Sequence, residues 1–169
     1  YDYGFNFAIY RRLGSWGSGG RQHDVYFIHF GVFKLNVIHL IKSMGEMGTM
    51  FSEKDFNEIV DYCSLMLYDE RVIAILEENK PCAFIFYSIT DTPEKFLKKG
   101  QYEYAPHDPK SKTVYVEKLV SFKWNRDLGV LFERIIIEKY PQIESGVWHR
   151  SAKWGDRKVV TRRRLECMK

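Results

Sequence analysis

Thr113 to Pro141 constrains this chain more than any other stretch, because its residues allow one local plan: a strand, a short polar turn and a helix. The run Thr113-Val-Tyr-Val-Glu-Lys-Leu-Val-Ser-Phe-Lys123 is rich in β-branched and aromatic residues, which suit a pleated, half-buried surface. The turn reads Trp124-Asn125-Arg126-Asp127-Leu128-Gly129-Val130-Leu131, and beyond it Ile135, Ile136 and Ile137 supply core positions until Pro141 ends the helix. Arg126 therefore stands three residues before Gly129 where a helix must begin. A helix N-terminus presents unpaired backbone N–H groups and the positive end of the macrodipole, and a glycine there lets a bulky anion approach the backbone. The segment reads as a cradle for a diphosphate, or else as an ordinary strand–helix connection with a solvated Arg.

The elements around it follow in a definite order. Residues 1–24 are rich in aromatics and glycine, with a Gly/Ser loop at Gly14–Gly20 between short extended pieces, and are set apart as an N-terminal extension to a single domain over 25–169. His23 to Phe30 reads as a strand and Val32 to Lys42 as a buried helix, followed by a loop over Met44–Met50 with Gly45 and Gly48 as breakers. Ser52 reads as the N-cap of a second helix carrying Ile59, Val60, Cys63, Leu65 and Met66. Arg71 to Ile89 holds two apolar runs around Glu77-Glu-Asn-Lys-Pro81, the pattern of a β-hairpin. Thr92 to Pro109 reads as an excursion with a short helix at Pro93–Lys99, Glu144 to His149 as a strand, and 157–165 as the last strand. The fold class expected is α/β in the α+β sense: a mixed, mostly antiparallel sheet flanked by helices.

A chain of 169 residues with 45% hydrophobic and 16% aromatic content can bury one substantial core. No run approaches the roughly 20 apolar residues that a spanning helix needs, and the first residues lack a signal-peptide layout. The expectation is a soluble protein without a membrane partner. Cys63, Cys82 and Cys167 are odd in number and far apart, which argues against a disulfide framework and for a reducing, cytoplasmic compartment, and Cys63 and Cys82 read as small core hydrophobes. Neither they nor His23, His29, His39, His107 and His149 have metal-ligand spacing, so no metal is expected. The net charge of +4 is uneven: Lys153, Arg157, Lys158, Arg162, Arg163, Arg164 and Lys169 crowd the C-terminus against Asp156 and Glu166. That cluster suits phosphate groups or an acidic partner, and equally an edge strand whose basic side chains discourage aggregation.

The Arg126-x-x-Gly129 turn in its strand-to-helix setting resembles the acyl-CoA-binding motif of the GNAT family of N-acetyltransferases, Arg/Gln-x-x-Gly-x-Gly/Ala, which follows the family's fourth strand. Leu131 stands where the family has its last small residue. The hairpin with Ala83 after its tip, and the element order over about residues 25–166, are similar to the family core. The resemblance is to a diverged member and implies an acyl-CoA-dependent N-acyltransferase, with acetyl-CoA as cosubstrate and an amine as acceptor. It implies that Leu119, Val120 and Ser121 pair with the pantetheine arm. Arg126, Asp127, Leu128, Gly129, Val130 and Leu131 would then hold the phosphates, with Asp127 also able to cap the new helix. Glu117, on the strand just before the pantetheine positions, is the candidate base, or a carboxylate paired with a neighbouring cation.

The family's Tyr in a helix after the fifth strand, and the Asn before it, have no counterpart in Val147-Trp-His-Arg-Ser-Ala-Lys-Trp-Gly155. His149 is the candidate acid there, or an ordinary polar residue at a strand end. This departure raises a second reading, a catalytically inactive protein of the same fold, such as a bacteriophage virion or host-interaction component. Its partner, or a second copy, would dock through Tyr1, Tyr3, Phe5, Phe7, Tyr10 and Trp16. A third reading is a nucleic-acid binder using the basic C-terminus with Trp148 and Trp154 as stacking platforms. Under the first reading the acceptor groove lies near Phe33–Asp55, with Met44, Met47 and Met50 as an adaptable wall or as helix-end packing.

Overall fold

The structure is a computed structural model that describes residues 5–13, 25–33, 36–47, 56–77, 80–93, 105–122, 126–151 and 158–164. For residues 5–13, 25–33, 77, 80, 126–127, 149–151 and 158–164 the description covers the backbone alone. The elements in chain order are β1 (Phe5–Leu13), β2 (Val25–Phe33), α1 (Val37–Glu46), α2 (Phe56–Tyr68), β3 (Val72–Glu77), β4 (Lys80–Ile89), β5 (Thr113–Ser121), α3 (Arg126–Lys139), β6 (Ser145–Ser151) and β7 (Lys158–Arg164). β3 to β7 form a five-stranded sheet in sequence order, while β1 and β2 form a separate two-stranded ribbon. Neighbours pair antiparallel except β5 and β6, which are parallel because α3 crosses over between them. The chain is thus a mixed α+β fold with a mostly antiparallel sheet.

Alternation along the strands divides the core in two. Val72 and Ala74 of β3, Phe84 and Phe86 of β4 and Val120 of β5 meet Leu40 and Met44 of α1 and Ile59, Tyr62, Cys63, Met66 and Leu67 of α2. The intervening Ile73, Ile75, Ala83, Ile85, Tyr87, Ile89 and Val114 meet Leu131, Phe132, Ile135 and Ile136 of α3 on the opposite face. The result is three layers, with a sheet clad by α1 and α2 on one side and by α3 on the other. Each full burial of a Leu, Ile or Phe side chain contributes about 1.5–3 kcal/mol, so both faces are needed to hold the sheet. Cys63 is buried as expected, and burial pushes its thiol up to about 12. Cys82 is half-buried in β4, at the place where the ladder passes from Ile75/Ala83 to Leu76/Pro81. A proline sits tolerably beside such a bulge because the ladder is already interrupted.

Helix ends explain two departures from the sequence reading. Val32 and Phe33 belong to β2 rather than to a helix, and α1 starts only after Asn36, whose Oδ1 accepts from the His39 N–H at 2.8 Å. That cap satisfies one of the unpaired donors of the first turn, which fixes the start at Val37. At its other end α1 continues through Met44 and Gly45 to Glu46, where a loop with Gly45 as breaker was expected. Met44 falls one turn after Leu40 and both are wholly buried. Burying a Met side chain outweighs the roughly 1 kcal/mol that a glycine costs a helix interior, and Gly45 itself faces open space.

α2 closes with a Schellman motif. The Glu70 N–H reaches the Leu67 carbonyl at 3.0 Å, the Arg71 N–H reaches the Met66 carbonyl at 2.8 Å, and Glu70 takes φ +55° at the position usually given to glycine. The reversal delivers Arg71 to the mouth of β3. Beyond β4 the described chain resumes at Ala105, buried against Tyr115 and Val147, and returns to β5 through a turn stabilised by the Ser111 N–H on the Asp108 carbonyl. β1 pairs with β2 from Phe5/Phe33 to Leu13/Val25, so residue 24 falls between two paired strands. The Ser52 cap, the Gly14–Gly20 loop, the short helix at Pro93–Lys99 beyond Pro93, Met50, Trp124, Trp154 and Cys167 lie outside the described residues.

Candidate functional site

β5 and its two neighbours set the geometry. Along β4 the pairing steps from Phe86/Lys118 to Tyr87/Val116, so Glu117 is the extra residue of a β-bulge. On the other side, the parallel ladder with β6 runs from Thr113/Ser145 to Val116/Trp148 and ends there, although β5 continues through Ser121. The strands part at the residue before Glu117. The bulge adds local twist, and β6 continues with β7 instead, from Ser145/Arg164 to Ser151/Lys158.

Past that point the candidate cofactor residues fall into distinct places. Leu119 is exposed, Ser121 is half-buried, and Val120 is buried beneath α1 and α2, which leaves Val120 only its backbone to offer a ligand. α3 opens at Arg126 and Asp127; their side chains are outside the described set. Leu128 and Leu131 turn into the core beneath α3, so the large residue at the position of the motif's last small one is absorbed by packing. Gly129 and Val130 remain half-buried at the helix start. His149 lies on β6 with its backbone paired to Val160; its side chain is likewise outside the described set.

Glu117 is the centre of a buried polar network that the sequence reading anticipated only as a possible pairing with a cation. The Tyr62 hydroxyl, from α2, donates to Oε2 at 2.9 Å, and the Ser88 hydroxyl, from β4, donates to Oε1. The Ala105 backbone N–H adds a third donor. Arg71, wholly buried, places Nη1 3.7 Å from Oε1 while donating to Ser88 Oγ at 2.6 Å and to the Ala105 carbonyl at 2.8 Å. Its Nε lies 3.5 Å from Asp69 Oδ2, at the rim of the site. Burial pushes the Glu117 carboxyl above its ordinary value, and the Ser88, Tyr62, Arg71 and Ala105 groups pull the other way by favouring the charged form. Burial and the adjacent carboxylate both raise the Tyr62 phenol, which stays protonated and acts as a donor.

A carboxylate offers about four lone-pair positions. Three are taken by Tyr62, Ser88 and Ala105, which leaves Glu117 able to receive one proton while fixed in orientation. Tyr62, Arg71 and Ser88 were not singled out from the sequence. Arg71 carried the best signal, as the one cation against the apolar run Val72–Leu76.

A second polar cluster occupies the far end of α3. His107 Nδ1 accepts from the Ile89 N–H at 3.1 Å, which puts the ring proton on Nε2, 3.4 Å from the Tyr140 hydroxyl. Tyr87, His107 and Tyr140 stack edge to face, and Lys139 Nζ donates to the Tyr87 hydroxyl at 3.2 Å and to the Glu70 carbonyl at 3.1 Å. Burial, then Arg71 and Lys139, lower His107 to about 4, so it is neutral at ordinary pH. No group of His, Cys, Asp and Glu among the described residues is arranged to hold a metal ion, and no described helix is long and apolar enough to cross a membrane. Comparison with protein-family models, curated proteins and solved structures finds no match.

Proposed function

We propose that the chain is a GNAT-like, acyl-CoA-dependent N-acyltransferase that uses acetyl-CoA and an amine acceptor. The observation that carries this reading is the parting of β5 from β6 after Val116/Trp148, with a bulged carboxylate at the point of divergence and a helix N-terminus beyond the strand end. The parting leaves Leu119 to Ser121 on a stretch of β5 beyond its ladder with β6, suited to an extended amide-bearing chain. The start of α3, with Gly129 half-buried, suits a diphosphate.

In this reading acetyl-CoA supplies an activated thioester, and the chain supplies position and proton traffic. α3 begins at Arg126, so Arg126, Asp127 and Leu128 offer the unpaired backbone N–H groups of its first turn and Arg126 a cation to the phosphates, with Gly129, Val130 and Leu131 shaping the turn above them, and Leu119 to Ser121 align the arm. Glu117 takes a proton from the acceptor ammonium at its remaining lone pair, so that a neutral amine faces the carbonyl. His149 is the candidate donor to the departing sulfur.

A second reading has a specific observation in its favour. Glu117 is 5% exposed and engaged by donors from three parts of the fold, which is also what a structural ion pair in an inactive, partner-binding scaffold would show. Calorimetric titration with acetyl-CoA separates the two. Saturable binding that is lost in both Arg126→Ala and Gly129→Trp supports the acyltransferase and calls for an acceptor screen with Glu117→Gln as the catalytic control. Absence of binding at millimolar cosubstrate rejects it in favour of the scaffold.

A further inference from the structure

The geometry points to Arg71 as a positioning residue that keeps the Glu117 carboxylate ionised and in one orientation. Its influence on catalysis rests on the acyltransferase reading above; its influence on Glu117 rests on geometry alone. The guanidinium is held by two anchors, Ser88 Oγ at 2.6 Å and the Ala105 carbonyl at 2.8 Å. Ser88, having accepted from Arg71, has a single hydroxyl proton and directs it at Glu117 Oε1. The wiring runs one way, from cation to hydroxyl to carboxylate, and the Tyr62 hydroxyl completes it from the other oxygen.

Tyr62, Ser88 and Ala105 therefore meet Glu117 as donors and Arg71 meets it as a positive charge. Two of them, Arg71 Nη1 and the Ala105 N–H, are themselves tied together through the Ala105 carbonyl and backbone. Removing Arg71 withdraws, among the described residues, the one cation within 4 Å of a desolvated carboxylate and also frees the Ser88 hydroxyl to turn toward the Ala105 carbonyl, 3.4 Å away. Among the described residues, the other titratable or charged groups facing the network are Tyr62 and Cys63 of α2, Asp69 at the rim, Tyr87 of β4, Lys118 beside Glu117 on β5, and His107 on the segment that carries Ala105. Asp69 Oδ2 meets the guanidinium at Nε, 3.5 Å away, while Nη1, 3.7 Å from Oε1, is close enough to favour the ionised form of the desolvated carboxylate.

The test reads the carboxyl directly and needs no acceptor. Protein labelled with 13C at the Glu side-chain carboxyl is titrated by NMR, with the Glu117 signal assigned by its loss in Glu117→Gln. In Arg71→Met the Glu117 midpoint should rise by about one to three pH units, while Arg71→Lys, which keeps the charge, should restore most of the native value. Should Arg71→Met not fold, Ser88→Ala removes the relay with little change in volume, and a smaller upward movement is expected. An unmoved Glu117 midpoint in folded Arg71→Met, or in Ser88→Ala where that variant stands in for it, overturns the assignment. If the midpoint moves and acetyl-CoA fails to bind, the positioning holds and its catalytic role is rejected with the acyltransferase reading. If the chain transfers acyl groups, the acidic limb of its pH–rate profile should move with the NMR midpoint, and a stationary limb removes Arg71 from the catalytic account.

Discussion

Acidification should unfasten the segment between β4 and β5 through His107, and the structure gives the size of the effect. His107 Nδ1 accepts the Ile89 N–H, so a proton arriving there replaces an acceptor with a donor facing a donor. Its value falls from 6.5 to about 4 on folding, chiefly by burial, with Arg71 and Lys139 next. The folded protein therefore binds fewer protons than the unfolded chain between those values. The contribution is fully present above the unfolded value and is lost as pH falls from there through about 4. About 2.5 pH units at 1.36 kcal/mol each sets a ceiling of about 3.4 kcal/mol, which solvent screening of this half-buried ring reduces to about 1–2 kcal/mol. Glu117 has the opposite sign: its raised carboxyl means the folded state binds more protons than the unfolded one, so acidification through that range adds stability. The clean measurement is thus a difference. Urea unfolding followed by circular dichroism between about pH 7.5 and pH 4 should show the native chain losing about 1–2 kcal/mol more than His107→Asn, whose amide oxygen accepts the same N–H without titrating. Parallel pH curves for the two proteins would refute the linkage.

Other perturbations give equally definite outcomes. Arg71→Met should cost about 3–5 kcal/mol in urea, because it leaves Glu117 buried without its guanidinium partner, whereas the pair Arg71→Met with Glu117→Gln should cost less than the sum of the single changes. Glu70→Gly should raise the urea midpoint by an amount worth about 0.5–1 kcal/mol, since glycine takes φ +55° freely and the Glu70–Lys139 pair it removes is largely exposed. Phe84→Ala, at a wholly buried position between β4 and α2, should cost about 3–5 kcal/mol by the same measurement.

The strand order of the main sheet was legible where residue type and period agree. Val72–Leu76 and Ala83–Ile89 read as a hairpin because β-branched and aromatic residues flank a charged tip, and β3 and β4 form it. The reading lapsed where long-range burial decides. Val32 and Phe33 fit a helix face locally, yet they pair with Asn6 and Phe5 across a hairpin whose register no short window contains. Gly45 looked like a stop because the burial of Met44 against α2 is a tertiary fact. In the site, Glu117 stood out as a carboxylate in an apolar strand. Tyr62, Ser88 and Arg71 lie 55, 29 and 46 residues from it along the chain, and only the folded register brings them to it. Arg71 in turn depends on the left-handed turn at Glu70, a conformation that a glutamate does not advertise.

The bulge at Glu117 separates scaffold from chemistry in a way the ladder itself records. Val116 faces α3 with Tyr87, Lys118 pairs with Phe86 on the α1–α2 side, and Val120 packs there with Phe84. Omit Glu117, and Val116, Lys118, Leu119 and Val120 alternate faces without a break. A one-codon deletion would thus carry every β5 side chain to its present face while erasing the carboxylate. The same arithmetic runs in reverse: a regular strand of this sheet acquires a candidate base through a single inserted residue, with no rethreading of the core on either side.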